Sequence, residues 1–195
     1  MKRKVVIDTS VITNPYSTRD IAKNLEEALQ RFIQLVKESG FEVLCTPATV
    51  EELKTFYKEL PIDFYRLVRI KTPNKYEVRI PGIILYDFLL EMRDRINRGL
   101  RVAEKAVREY RDKDEREAIK YLRENYRRVM REGIVDSKED IDTILLALQE
   151  DAALSTADEG QIELARKLGI EIIEPSILYR MMQKEIEEGS APTGI

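Results

Sequence analysis

The 195 residues include no histidine. Ser-His-Asp triads, imidazole acid/base pairs and His-ligated zinc sites are therefore excluded. The one cysteine, Cys45, rules out an intrachain disulfide and suits a reducing cytoplasm. It lies in an apolar, strand-like run, where core packing is its expected role. The 8 glycines form no phosphate loop or dinucleotide fingerprint. Long hydrophobic runs are also missing. The apolar residues behind Met1-Lys2-Arg3-Lys4 meet Asp8 too soon for a signal-peptide core, and no stretch approaches a membrane span. Chemistry must therefore run on carboxylates, hydroxyls, Lys/Arg or a metal.

Charge is what the chain has in quantity. Charged residues make up 35% and apolar residues 43%, and the length fits one domain carrying an insertion. The net charge of −3 conceals a segregation. Between Arg93 and Arg131 stand fourteen Lys/Arg against eight Asp/Glu, a local +6 that leaves −9 for the remainder. This basic segment reads in two compatible ways. Pairs such as Glu104 with Arg108 and Glu124 with Arg128 have i,i+4 spacing and lace a solvated helix. Tyr110, Tyr121 and Tyr126 among the arginines suit a nucleic-acid surface.

Apolar periodicity predicts alternating strands and helices. Lys4–Asp8 is a strand, followed by a loop at Asn14-Pro15 and an amphipathic helix near Ile21–Lys37 that Gly40 stops. Phe41–Thr46 is a second strand and Ala48–Glu59 a helix behind Pro47. From Leu60 to Gly82 a strand pair and an irregular lid remain open. Leu85, Phe88, Leu89, Met92, Ile96, Leu100, Ala103, Val107 and Tyr110 then sustain one helical stripe. A charged turn over Arg111–Arg116 leads to a second stripe through Ile119, Leu122, Tyr126, Val129 and Met130. This is an antiparallel helical hairpin with an apolar face that asks for a partner. Beyond it come a helix at Ser137–Glu150, a buried strand at Ala152–Thr156, a helix at Gln161–Leu168, a strand at Ile170–Ile173 and a C-terminal helix from Pro175. The alternation predicts an α/β fold with a mostly parallel sheet and helices on both faces.

Acids stand at the element ends. Asp8 closes the first strand, Asp136 and Asp140 open a helix four residues apart, and Asp158 follows the strand run ending in Ser155-Thr156. Strand ends and helix starts at one sheet edge are where α/β folds gather ligands. Carboxylates held about 4 Å apart repel by roughly 4 kcal/mol at an effective dielectric of about 20. That repulsion calls for a cation, and oxygen ligands suit Mg²⁺ or Mn²⁺. Asp136 has a second reading as a helix cap, with Glu139 three residues on. Asp142 lies about 200° round the helix from Asp140 and shares a site with it poorly. Glu51 and Glu52 open a helix whose dipole favours acids in any case; Glu52, next to the core residue Leu53, is the better candidate for the cluster.

The set Val6-Ile7-Asp8-Thr9-Ser10, Val50-Glu51-Glu52-Leu53, Asp140 to Ala147 and Leu154-Ser155-Thr156-Ala157-Asp158 resembles the PIN-domain nucleases. Asp8 to Pro15, the long basic hairpin and the chain length resemble more narrowly the minimal protein-only ribonuclease P enzymes, the HARP or "RNA ligase partner" family. The resemblance implies a three-layer PIN-like core over 1–82 and 133–195, with an inserted hairpin over 83–132 that contacts RNA, assembles subunits or does both. It implies Mg²⁺- or Mn²⁺-dependent removal of the 5′ leader from precursor tRNA, and large homo-oligomers built through the hairpin. The family's four aspartates fall on Asp8, Asp136, Asp140 and Asp158, with Glu52 a fifth metal contributor. Thr9, Ser10, Thr156 and Asp142 are supporting residues, and Arg123, Arg127 and Arg128 candidate RNA contacts. Two alternatives stand beside this reading: another, toxin-like PIN ribonuclease, or a non-catalytic RNA-binding partner of a processing enzyme.

Overall fold

The computed structural model describes residues 3–110, 114–131 and 137–189. Its sheet grows from the β-branched opening run, β1 at Lys4–Ile7. Two one-turn helices follow, α1 at Ser10–Thr13 and α2 at Pro15–Thr18. The expected loop at Asn14-Pro15 is thus partly helical. Asn14 caps α2 by accepting from the Tyr16 N–H, and Pro15 takes the first helical position, where a missing N–H is harmless. Helix α3 spans Leu25–Ser39, starting later than the periodicity predicts. Asn24 caps it through the Glu27 N–H, and Gly40 ends it at φ +74°, a left-handed conformation that favours glycine.

Strand β2 (Glu42–Cys45) and helix α4 (Pro47–Phe56, capped by Thr46) follow. The ambiguous stretch resolves into α5 at Ile62–Leu67 and a three-residue strand, β3 at Val68–Ile70. Tyr76–Ile80 forms no strand. Next come α6 (Gly82–Glu109), α7 (Glu115–Arg131), α8 (Lys138–Glu150), β4 (Ala153–Ser155), α9 (Glu159–Lys167) and α10 (Pro175–Gly189). The strand expected at Ile170–Ile173 shrinks to a single bridge, Leu154 with Ile172. Pro175 opens α10 just beyond it and cannot extend a ladder. Among the described residues no helix is long and apolar enough to cross a membrane.

All strand pairs are parallel, in the order β3-β2-β1-β4. Alternation places Val5, Ile7, Val43 and Cys45 in one core with Phe32, Leu178, Tyr179 and Met182. Val6, Leu44 and Leu154 are equally buried and face the other way, where α8 packs against β1 and β4. Helices therefore cover both faces, as parallel sheets require. Burial pushes the Cys45 thiol up to about 12, so it packs as an inert side chain.

The chain divides into two compact units, Met1–Arg79 with Ser137–Ile195, and Ile80–Asp136. In the second, α6 runs about 42 Å at about 1.5 Å per residue and packs along α7. Ile96, Leu100 and Val107 of the apolar stripe do not make the contact. Arg95, Gly99 and Ala106 are the buried residues of α6, whereas Ile96, Leu100 and Val107 are 57–72% exposed. At about 100° per residue the two sets lie roughly 100° apart round the helix. Gly99 abuts the Tyr126 ring, where a Cβ would come within 2.6 Å. Arg95 donates to the Met130 carbonyl oxygen, and Tyr110 stacks on Tyr121 at 5.1 Å. Small and polar groups thus close the hairpin and leave its Leu/Ile/Val side bare.

Candidate active site

The strand order reverses between β1 and β4, and at such a switch point an open parallel sheet leaves a crevice beyond its carboxyl ends. Asp8 follows β1 there, with Thr156 and Asp158 beyond β4. The Asp8 N–H donates to the Ser155 carbonyl oxygen at 3.0 Å, continuing the ladder by one bond. Its carboxylate Oδ2 accepts from the Ser10 N–H at 3.1 Å and from the Thr156 hydroxyl at 3.3 Å. Ser10 Oγ accepts in turn from the Ala157 N–H at 2.9 Å. The turns after β1 and β4 are thereby tied together around one carboxylate.

Helix α8 brings the second acid. Ser137 is its cap and accepts from the Asp140 N–H at 3.0 Å, so the cap that Asp136 was expected to provide belongs to its neighbour. Asp136 itself lies outside the described residues. The Asp140 pKa is raised above its ordinary value chiefly by burial, with the negative charges of Asp8 and Asp158 adding to the rise; hydrogen bonds from Ser137 and Gln161 oppose it. The three aspartates are thus within electrostatic reach of one another.

Glu52 arrives from α4, where the Thr9 hydroxyl donates to its Oε2 at 2.7 Å. Glu51 instead forms an ion pair with Lys54 at 2.7 Å, which decides between the two glutamates. Asp142 does not line the pocket; its carboxylate is held by Lys75 at 2.7 Å. Asp158 caps α9, accepting from the Gln161 N–H at 2.8 Å. Arg123, Arg127 and Arg128 are exposed on α7.

A pocket of about 360 Å³ is lined by Asp8, Glu52, Glu139, Asp140 and a row of hydroxyls from Thr46, Thr49, Ser137 and Thr143; Asp158, Thr9, Ser10 and Thr156 lie outside its lining. Among the described residues four carboxylates line it, and no Lys or Arg does. A phosphodiester cannot enter such a field unless a cation screens it. The donors are hard oxygens, the set that Mg²⁺ and Mn²⁺ prefer. Among the described residues no three acids close on one point as a ready-made metal cage.

Residues 4–187 match the PINc domain ribonuclease family. An RNA-free ribonuclease P of Thermodesulfovibrio yellowstonii is 49% identical over 177 residues, 89% of this chain and 90% of its own. Those of Nitrosococcus oceani (39% identical, covering 92% and 94%) and Thermococcus kodakarensis (38%, covering 95% and 96%) align as fully. The chain belongs to the RNA-free ribonuclease P family. As a member of that family with a PINc ribonuclease domain the chain is an endoribonuclease, and divalent-metal dependence is typical of PIN domains.

Two residues of this site escaped the sequence reading. Glu139 was weighed only as a capping partner, yet it lines the pocket. Gln161 is 1% exposed and its Nε2 donates to Asp140 Oδ1 at 2.8 Å. Its Oε1 is buried without a partner among the described residues, an arrangement that ordinarily costs about 1–3 kcal/mol. The spacing Asp158-Glu159-Gly160-Gln161, that of a capping box, was the available signal.

Proposed function

We propose that this chain removes the 5′ leader of precursor tRNA by Mg²⁺-dependent hydrolysis of one phosphodiester bond. The observation that carries the proposal is the pocket at the sheet's switch point, lined among the described residues by four carboxylates and no Lys or Arg, in a chain similar over its length to RNA-free ribonucleases P. Asp8, Asp140 and Asp158 would hold the ion, with Glu52 and Asp136 contributing beside them. Bound there, Mg²⁺ supplies charge compensation for the scissile phosphate and a water acidic enough to attack it. The chain's own part is to fix the acids. Ser10 and Thr156 hold Asp8, and Thr9 holds Glu52. With no histidine available, carboxylates and water carry the protons.

We assign the nuclease role to 1–82 with 133–195, and assembly and RNA contact to the hairpin over 83–132. Its exposed Ile96, Leu100 and Val107 support contact with a second copy, and its arginines contact with RNA. The assay is cleavage of precursor tRNA with Mg²⁺, with and without EDTA, and mapping of the product ends. One cut at the mature 5′ end, abolished by EDTA, is the expected result. Scattered cuts would indicate a different PIN ribonuclease, and metal-independent inactivity a binding module. Reversing the charge of Arg123, Arg127 and Arg128 is expected to weaken tRNA binding and flatten its salt dependence, the slope of log K against log salt falling by up to about 2–3. Unchanged affinity in a filter-binding titration would leave those arginines without an RNA role.

A further inference from the structure

Helix α9 starts with an acid and a glutamine at the spacing of a capping box, but the box is not closed. In the ordinary arrangement the glutamine at the third helical residue reaches back to the N–H of the capping residue. Here that N–H, on Asp158, donates to Thr156 Oγ1 at 3.0 Å. The Gln161 side chain is thereby released and turns to Asp140, 21 residues away in sequence, donating from Nε2 at 2.8 Å. Its backbone N–H meanwhile holds Asp158 Oδ1 at 2.8 Å. One buried residue thus grips two of the acids proposed to bind metal, and it does so at the expense of an unpartnered Oε1.

We infer that Gln161 is a positioning residue of the metal site, aligning the Asp140 carboxylate on α8 with Asp158 on α9; this rests on the reading that those acids hold the ion. An amide suits the task for a physical reason. It orients a carboxylate without cancelling its charge, whereas a lysine or arginine at the same place would neutralise Asp140 and compete with the cation. With Nε2 bound to Oδ1 and Ser137 also hydrogen-bonded to this carboxyl, the Asp140 side chain loses the rotamers that would turn it away from the pocket.

The test is a Mn²⁺ titration of the RNA-free protein, followed by calorimetry and by the electron paramagnetic signal of the free ion, for Gln161→Met and Gln161→Asn. Both variants keep the backbone cap on Asp158 and lose the bond to Asp140; the smaller Asn carries the test if Met disturbs packing, and circular dichroism verifies the fold. Mn²⁺ affinity is expected to fall roughly tenfold or more. In precursor-tRNA cleavage, the half-saturating metal concentration should rise in step, with the rate at saturating metal approaching that of the unaltered chain. Folded variants with unchanged Mn²⁺ affinity would overturn the inference, even with a lowered thermal midpoint, since that pattern belongs to a helix cap alone. If the variants lose Mn²⁺ while the unaltered chain leaves precursor tRNA intact, the substrate proposal fails and Gln161 keeps its role. No Mn²⁺ binding by the unaltered chain would overturn both.

Discussion

Asp140→Asn is expected to lower the cleavage rate by about 10³-fold while making the metal-free protein more resistant to heat. The first effect follows from removing one anionic ligand of the cation. Metal stabilisation of the transition state is worth several kcal/mol, and about 4 kcal/mol corresponds to roughly 10³ in rate. The second follows from burial of the carboxylate, with repulsion from its neighbours adding to it. Burial, with Asp8 and Asp158 nearby, raises the Asp140 pKa in the fold. A carboxyl raised in this way binds its proton more readily folded than unfolded. Its contribution is fully present below the unfolded pKa and is lost as pH rises through the folded one. The Asn variant has no such loss. Unfolding temperatures of the two proteins, measured in EDTA, should therefore be closest in acid and diverge towards neutral pH. Full activity in the purified variant would remove Asp140 from the mechanism, and a lowered neutral midpoint would contradict this destabilisation by burial and repulsion.

Gly99→Leu is the second large effect, directed at the hairpin. A Cβ at this position already lies 2.6 Å from Tyr126 Cε2, so a leucine cannot be accommodated unless the ring or α7 moves. Overpacking of this kind costs about 1–3 kcal/mol, and here it falls on the contact that closes two helices. The proposed assembly uses the exposed stripe of α6, whose geometry depends on that closure. Light scattering behind size exclusion should show the assembled mass falling towards the monomer. Adding Tyr126→Ala vacates the space and should restore part of the mass, a non-additive pair being the signature of direct contact. An assembly indifferent to Gly99→Leu would mean that α6 associates without its partner helix.

Several parts of the site were legible before any coordinates. Asp8, Asp140 and Asp158 stand at strand ends and a helix start, positions that periodicity and turn residues mark in the chain itself. Glu52 was separable from Glu51 only weakly, because both occupy the first half of one helix; the Thr9 hydrogen bond on one and the Lys54 ion pair on the other are contacts between side chains that spacing cannot rank. Gln161 was invisible as a site residue for a related reason. Its local pattern is that of a cap, and its diversion to Asp140 depends on Thr156 having taken the bond it would otherwise make.

The hairpin shows the same division. Heptad-like recurrence of Leu, Ile and Val established two helices and an apolar face, since periodicity follows from 3.6 residues per turn. It suggested no reason why that face should be left bare. Which side of α6 meets α7 is decided by where backbones approach closest, and that is the side of Gly99 and Ala106 with Arg95 anchored on Met130. Local hydrogen bonding and periodicity are properties of neighbouring residues, so the sequence alone determined the long helices, the first two strands, the parallel α/β class and the clustering of acids at element ends. Register, strand order and the choice among equivalent polar side chains depend on contacts distant in the chain. Only the tertiary structure could therefore decide that Asp8, Glu52, Glu139 and Asp140 line one pocket to which, among the described residues, no Lys or Arg contributes.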